Sequence, residues 1–168
     1  MLPEQPQLIN PLRLAKNKER IDGFLNHDIL VRLNGILLDN SGQVKYSLCF
    51  DFDASGICRI TTSIDTEILL NCQRCLEPVN TQIRKCSTLG LYRNLEEFNK
   101  LENDYEPLQL REELISLELL VEEEILLAIP LAPTHGNKSC IKSKAAMKTN
   151  LNKENPFSAL KKLKDGKV

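Results

Sequence analysis

An α+β fold is what the sequence predicts: an antiparallel β-meander over about residues 43–92, flanking helices, and a flexible basic C-terminal tail. Three observations carry this. Between Gly42 and Arg93, β-branched residues alternate with polar ones and are punctuated by Asn, Asp, Ser and Gly, the texture of strands joined by turns. Helical spacing of apolar residues flanks that stretch, most strongly in SLELLVEEEILLAI at 116–129. Beyond about residue 137 Lys, Asn and Ser dominate, with too little apolar surface to offset the entropy of ordering. At 168 residues and 42% hydrophobic content the chain is of single-domain size. We read 1–136 as one α+β domain and 137–168 as a mostly flexible tail holding the short segment NPFSALKKLK.

In chain order, NPLRLAKNKER at 10–20 predicts a short basic helix, with Asn10 as N-cap and Pro11 at the first helical position, where its missing N–H costs nothing. RIDGFL at 20–25 reads as a strand. A second helix is expected near 28–38, capped within Asn26 to Asp28, because Ile29, Leu33, Ile36 and Leu37 fall at helical spacing, although Gly35 weakens its interior. Strands follow near 43–53, 57–71 and 79–92, separated by DASG at 53–56 and CQRCLEP at 72–78. After an acidic link at 95–106, YEPLQL reads as an edge strand. The helix at 116–129 has Ser116 as N-cap, Glu122–Glu124 on its solvated side, and a stop at Pro130 and Pro133.

The net charge of −1 conceals a strong asymmetry. Residues 1–94 carry eleven basic and ten acidic groups; residues 95–126 carry eleven acids against Lys100 and Arg111; residues 127–168 carry nine lysines against Glu154 and Asp165. An acidic middle and a basic tail present different faces to different partners. The amino-terminal MLPEQPQLINPLRLAKNKER lacks a signal-peptide apolar run, and no stretch of about 18 apolar residues occurs, so a cytoplasmic protein with no membrane contact is expected. In that compartment six cysteines stay reduced.

Cys72-Gln73-Arg74-Cys75 is the sharpest motif. Two thiolates at this spacing can face one metal ion from a tight turn, and a tetrahedral structural site needs two further N or S ligands. His135 and Cys140, in THGNKSC just beyond the Pro130/Pro133 break, are the candidates for a Cys3His zinc site, although 59 residues separate Cys75 from His135. Two other readings stay open. A redox C-x-x-C begins a helix after a strand, and Leu76-Glu77-Pro78 argues for extended chain instead; or the pair is simply two reduced cysteines in a hairpin turn. Cys49, Cys58 and Cys86 lie in strand-like segments and read as sheet residues, and His27 as a residue at a helix start.

No Ser or Asp constellation surrounds either histidine and no Gly-rich phosphate loop occurs, so catalysis and a small-molecule substrate have no support. Aromatics make up 5% and Trp is absent, which leaves RNA binding to electrostatics rather than base stacking. The candidate phosphate-binding residues are Arg74, Arg84 and Lys85, placed by this reading near the C-x-x-C turn, with Lys161, Lys162 and Lys164 in the tail. The tail lysines read equally well as a solubilising extension.

CQRCLEPV at 72–79, LVEEEILLAIPLAPTH at 120–135 and NPFSALKKLK at 155–164, in this order and separation, resemble the YceD family of large ribosomal RNA subunit accumulation proteins. The resemblance implies a bacterial cytoplasmic factor for synthesis, processing or stability of 23S ribosomal RNA, with no assigned catalytic activity. Precursor large-subunit RNA, a basic ribosomal protein, or both would be its partners. It also makes the C-x-x-C a hallmark, with further cysteines after the P-x-x-P in some branches, where this chain offers only His135 and Cys140. A metal-dependent RNA-processing enzyme and a protein-interaction module without RNA contact are the competing readings.

Overall fold

A computed structural model describes residues 8–101, 103–136 and Cys140. The chain divides into a unit of Met1–Thr134 and a second of His135–Val168, and the fold set out here belongs to the first. Strand β1 (Leu8–Ile9) precedes helix α1 (Pro11–Asn17); β2 (Arg20–Asn26), β3 (Gln43–Phe52), β4 (Cys58–Asn71) and β5 (Pro78–Tyr92) follow; then α2 (Leu95–Phe98), β6 (Glu106–Gln109), β7 (Ile115–Ser116) and α3 (Leu117–Ala128). The main sheet has the order β2-β3-β4-β5-β6, and β1 pairs with β7 in a separate two-stranded ribbon.

The meander from β2 to β5 is antiparallel throughout, with pairs such as Leu25↔Val44, Phe50↔Ile60 and Thr62↔Ser87. Expected strands at 20–25, 43–53, 57–71 and 79–92 are observed within one residue of their predicted ends, because each is bounded by turn chemistry. At the first hairpin Asp53 Oδ1 accepts from the N–H groups of Ser55 and Ile57, at 2.8 Å each, and Gly56 takes φ +82°. The edge strand read from YEPLQL is present as β6, but it runs parallel to β5, so the sheet is mixed rather than purely antiparallel. The chain from Arg93 to Tyr105, α2 included, is long enough to carry it back from Tyr92 to beside Leu89, in the last four residues of β5, before β6 begins, as a parallel pairing requires. The acidic link contains a capping arrangement: Asn94 Oδ1 accepts from Glu97 N and Glu97 Oε2 accepts from Arg93 N.

Strict alternation buries one sheet face. Val44, Tyr46, Leu48 and Phe50 of β3, Ile60, Ile64, Ile68 and Leu70 of β4, and Val79, Ile83, Leu89 and Leu91 of β5 form the core. Two helices cover it. Helix α1, capped by Asn10 Oδ1 accepting from Arg13 N, buries Leu14 and Ala15, with its Pro11 carbonyl near Cys58 Sγ; α3, capped by Ser116, buries Leu117, Leu120, Val121 and Ile125. The opposite face is polar, with cross-strand pairs such as Arg59–Asp51.

The helix expected near 28–38 is not formed. Two 3-10 turns, His27–Ile29 and Val31–Leu33, stand there, followed by a bend at Gly35 with φ +87°. His27, Leu30 and Leu33 are buried at intervals of three, the 3-10 period, while Ile29, Val31 and Ile36 are exposed. Apolar residues are so plentiful here that either period fits the sequence, and Gly35 together with the need to bury this particular set decides between them. His27 is therefore a core residue. Its Nε2–H donates to Thr66 Oγ1 at 2.8 Å, the Thr66 hydroxyl donates to the Gln43 carbonyl, and Gly42 packs against the ring so closely that a Cβ there would lie 2.6 Å from it. No described helix is long and apolar enough to cross a membrane.

Candidate metal centre

The C-x-x-C sits in the connection between β4 and β5. Cys72 N donates to the Glu77 carbonyl and Leu76 N to the Cys72 carbonyl, both at 2.9 Å, which closes the chain into a tight loop before Pro78 opens β5. Leu76 takes φ +65°, a left-handed conformation that costs a non-glycine residue about 1–2 kcal/mol, with its side chain largely in solvent. This loop turns both cysteines inward of the hairpin end: Cys72 is buried and Cys75 half-buried. A second backbone segment meets it. Gln73 N donates to the Pro133 carbonyl at 2.8 Å and Arg74 Nη2 donates to Thr134 Oγ1 at 3.1 Å. Pro130 lies just past the end of α3, where its lack of an N–H stops the helix and sends the chain toward the loop.

The ligand atoms of Cys72, Cys75, His135 and Cys140 all lie within 4.8 Å of one another. Three thiols and an imidazole, two of the four residues being buried, match the donor preference of a closed tetrahedral site.

The expected phosphate-binding residues do not share one surface. Arg74 is exposed on the loop. Arg84 and Lys85, predicted to lie near that loop, are in the middle of β5, opposite Asp65 and Ile64 of β4, and strand alternation sends them to opposite faces. Arg84 is on the solvent face, 3.4 Å from Asp65. Lys85 points into the core face, 17% exposed, with Nζ 3.2 Å from Glu106 and 3.1 Å from Glu124. Lys161, Lys162 and Lys164 lie outside the described residues.

Glu122–Glu124, read from the sequence as a solvated run, is divided by the helix. Glu123 is exposed, whereas Glu122 and Glu124 are each 2% exposed. Glu122 accepts from the backbone N–H of Arg32, so that α3 secures the second 3-10 turn. Glu124 accepts from Ser87 Oγ at 2.6 Å and Thr62 Oγ1 at 3.2 Å beside the Lys85 ammonium. The signal was the spacing: Glu124 is seven residues after Leu117 and three after Val121, on the buried stripe of α3.

No solved structure matches the chain. A curated relative, the large ribosomal RNA subunit accumulation protein YceD of Haemophilus influenzae (strain ATCC 51907 / DSM 11121 / KW20 / Rd), is 26% identical over 166 residues, 95% of each chain. The family model described as large ribosomal RNA subunit accumulation protein YceD matches residues 60–164, well over half the chain and inclusive of the cysteine loop, α3, Cys72, Cys75, His135 and Cys140. The chain belongs to the YceD family.

Proposed function

We propose that this protein is a non-enzymatic cytoplasmic factor for the synthesis, processing or stability of 23S ribosomal RNA during large-subunit biogenesis. The reading is supported first by similarity along 95% of the chain to a relative named for large ribosomal RNA subunit accumulation. In it, Cys72, Cys75, His135 and Cys140 hold one structural zinc ion. Ligands about 2.0–2.3 Å from a tetrahedral centre stand less than about 4 Å apart, close to the size of the observed group. Zinc there supplies cross-linking of a loop and no bond-making step, since four protein ligands leave no open coordination position. That closed donor set favours a scaffold over a metal-dependent RNA-processing enzyme.

Precursor RNA is held through Arg74 and Arg84 on exposed surface and through Lys161, Lys162 and Lys164. Lys85 serves from within: its charge is matched by Glu106 and Glu124, and it ties β5, which carries Arg84, to α3. The acidic stretch 95–126 serves a basic ribosomal protein. The test is depletion of the protein followed by quantification of 23S and 16S RNA and by sedimentation of native lysate. The expected outcome is loss of 23S RNA and free large subunits with the small subunit comparatively intact, and co-sedimentation of the protein with large-subunit precursors. Equal 23S and 16S levels before and after depletion would overturn the reading.

A further inference from the structure

Away from the metal centre, the solvent side of α3 carries Leu119 and Leu127, 56% and 65% exposed, with Glu123 between them at four-residue spacing. Leu119 lines an open groove of about 380 Å³ together with Leu8 of β1, Leu108 of β6 and Leu114. Leu8 is 58% exposed and Leu114 45%. A single exposed leucine is ordinary, but leucines from a helix, two strands and a connecting loop converging on one groove form an apolar patch, and such patches mark docking sites. Its borders are acidic: Glu112 and Glu123 line the groove, Glu113 follows Glu112 in solvent, and only Arg111 opposes them among the described residues that line it.

We propose that this groove receives a cationic amphipathic helix from a protein partner, with its apolar face on Leu8, Leu114 and Leu119 and its Lys or Arg side chains against Glu112, Glu113 and Glu123. The inference rests on the basic-protein partner of the proposed function and gives that partner a place and a shape. Charge selects the occupant. The exposed border carries Glu112, Glu113 and Glu123 against Arg111, so RNA phosphates and acidic peptides are repelled here, and a second copy would bring the same acidic border against this one. A helix presenting apolar residues at i, i+3, i+4 and i+7 with basic flanks satisfies both the leucines and the carboxylates.

The probe is a fluorescein-labelled peptide of about 14 residues made of Leu and Lys, patterned so that leucines fall on one helical face. Controls are the same composition scrambled, and the same pattern with Glu for Lys. With the full-length protein, anisotropy titration should show saturable binding of the patterned Leu/Lys peptide, at least about tenfold weaker binding of the scrambled one, and none of the Leu/Glu one. The Leu114→Ser, Leu119→Ser double variant should lose at least about tenfold in affinity at an unchanged melting midpoint, both side chains being in solvent. Glu112→Gln with Glu123→Gln should weaken binding and flatten its salt dependence. Equal binding of patterned and scrambled peptides, or unchanged affinity in the leucine variant, overturns the proposal. So does sedimentation showing a dimer that the leucine variant dissociates, since the groove would then belong to a second copy. Failure here leaves the effect of depletion on 23S RNA standing, and normal 23S RNA after depletion leaves the peptide result standing, so the two readings fail separately.

Discussion

Lys85 Nζ stands 3.1 Å from Glu124 Oε2, an ion pair that joins the middle of β5 to the buried stripe of α3 with the carboxylate 3% exposed. Burial pushes the Lys85 amine down, but the hydrogen bonds to Glu124 and Glu106 outweigh it and hold its affinity for the proton above the ordinary value. With Ser87 and Thr62 also donating to Glu124, and Lys85 shared with Glu106, one carboxylate is held by three groups on the core face. Glu124→Ala should therefore cost about 3–5 kcal/mol, the loss expected when one member of a buried pair is removed, and Glu124→Gln less, because it keeps an acceptor. Urea unfolding of the two variants beside the parent measures both; equal, small losses would show that the pair is worth little here.

His27 makes stability depend on pH. Desolvation lowers its affinity for a proton below the ordinary 6.5, against opposition from Asp39 and Asp28. The unfolded chain then binds the proton more readily than the folded one, so the contribution is fully present above about pH 6.5 and is lost as pH falls from there through the folded-state value. Urea midpoints measured from pH 8 to pH 5 should fall on the acid side, and His27→Gln should flatten that fall. A parent midpoint constant across this range contradicts the expectation.

Metal content is decided by elemental analysis of protein purified without chelator, with one zinc per chain expected. Cys75→Ser should lower that stoichiometry, and chelation should lower the melting temperature of the parent and leave the variant almost unmoved. Full stoichiometry in a Cys72→Ser, Cys75→Ser double variant would place the metal elsewhere.

For RNA, Lys161→Ala, Lys162→Ala and Lys164→Ala combined should weaken binding to 23S fragments and reduce the slope of log affinity against log salt by roughly one for each phosphate no longer neutralised. Unchanged affinity and slope would mark the tail as a solubilising extension and leave Arg74 and Arg84 to hold the RNA.

Local chemistry made much of this protein readable. Alternation over 43–92, the DASG turn, the Asn10 and Ser116 caps and the proline stops are decided among residues a few positions apart, and they appear where expected. The cluster of Cys72, Cys75, His135 and Cys140 was named from position alone: the C-x-x-C offers two thiols from one turn, and His135 and Cys140 follow just after the Pro130/Pro133 break.

Tertiary structure alone decided the rest, wherever two local solutions were close in energy or the partner was distant in sequence. Residues 27–37 carry apolar side chains enough for either a 3.6 or a 3.0 period, and packing His27, Leu30 and Leu33 onto the sheet selects the latter. The direction of β6 follows from how the chain returns through α2 before pairing, which no periodicity records. Glu124 looks solvated in a run of three glutamates; it is buried because Lys85, Ser87 and Thr62, 37 to 62 residues away, replace the water it gives up, and a buried charge is tolerable only where such partners converge.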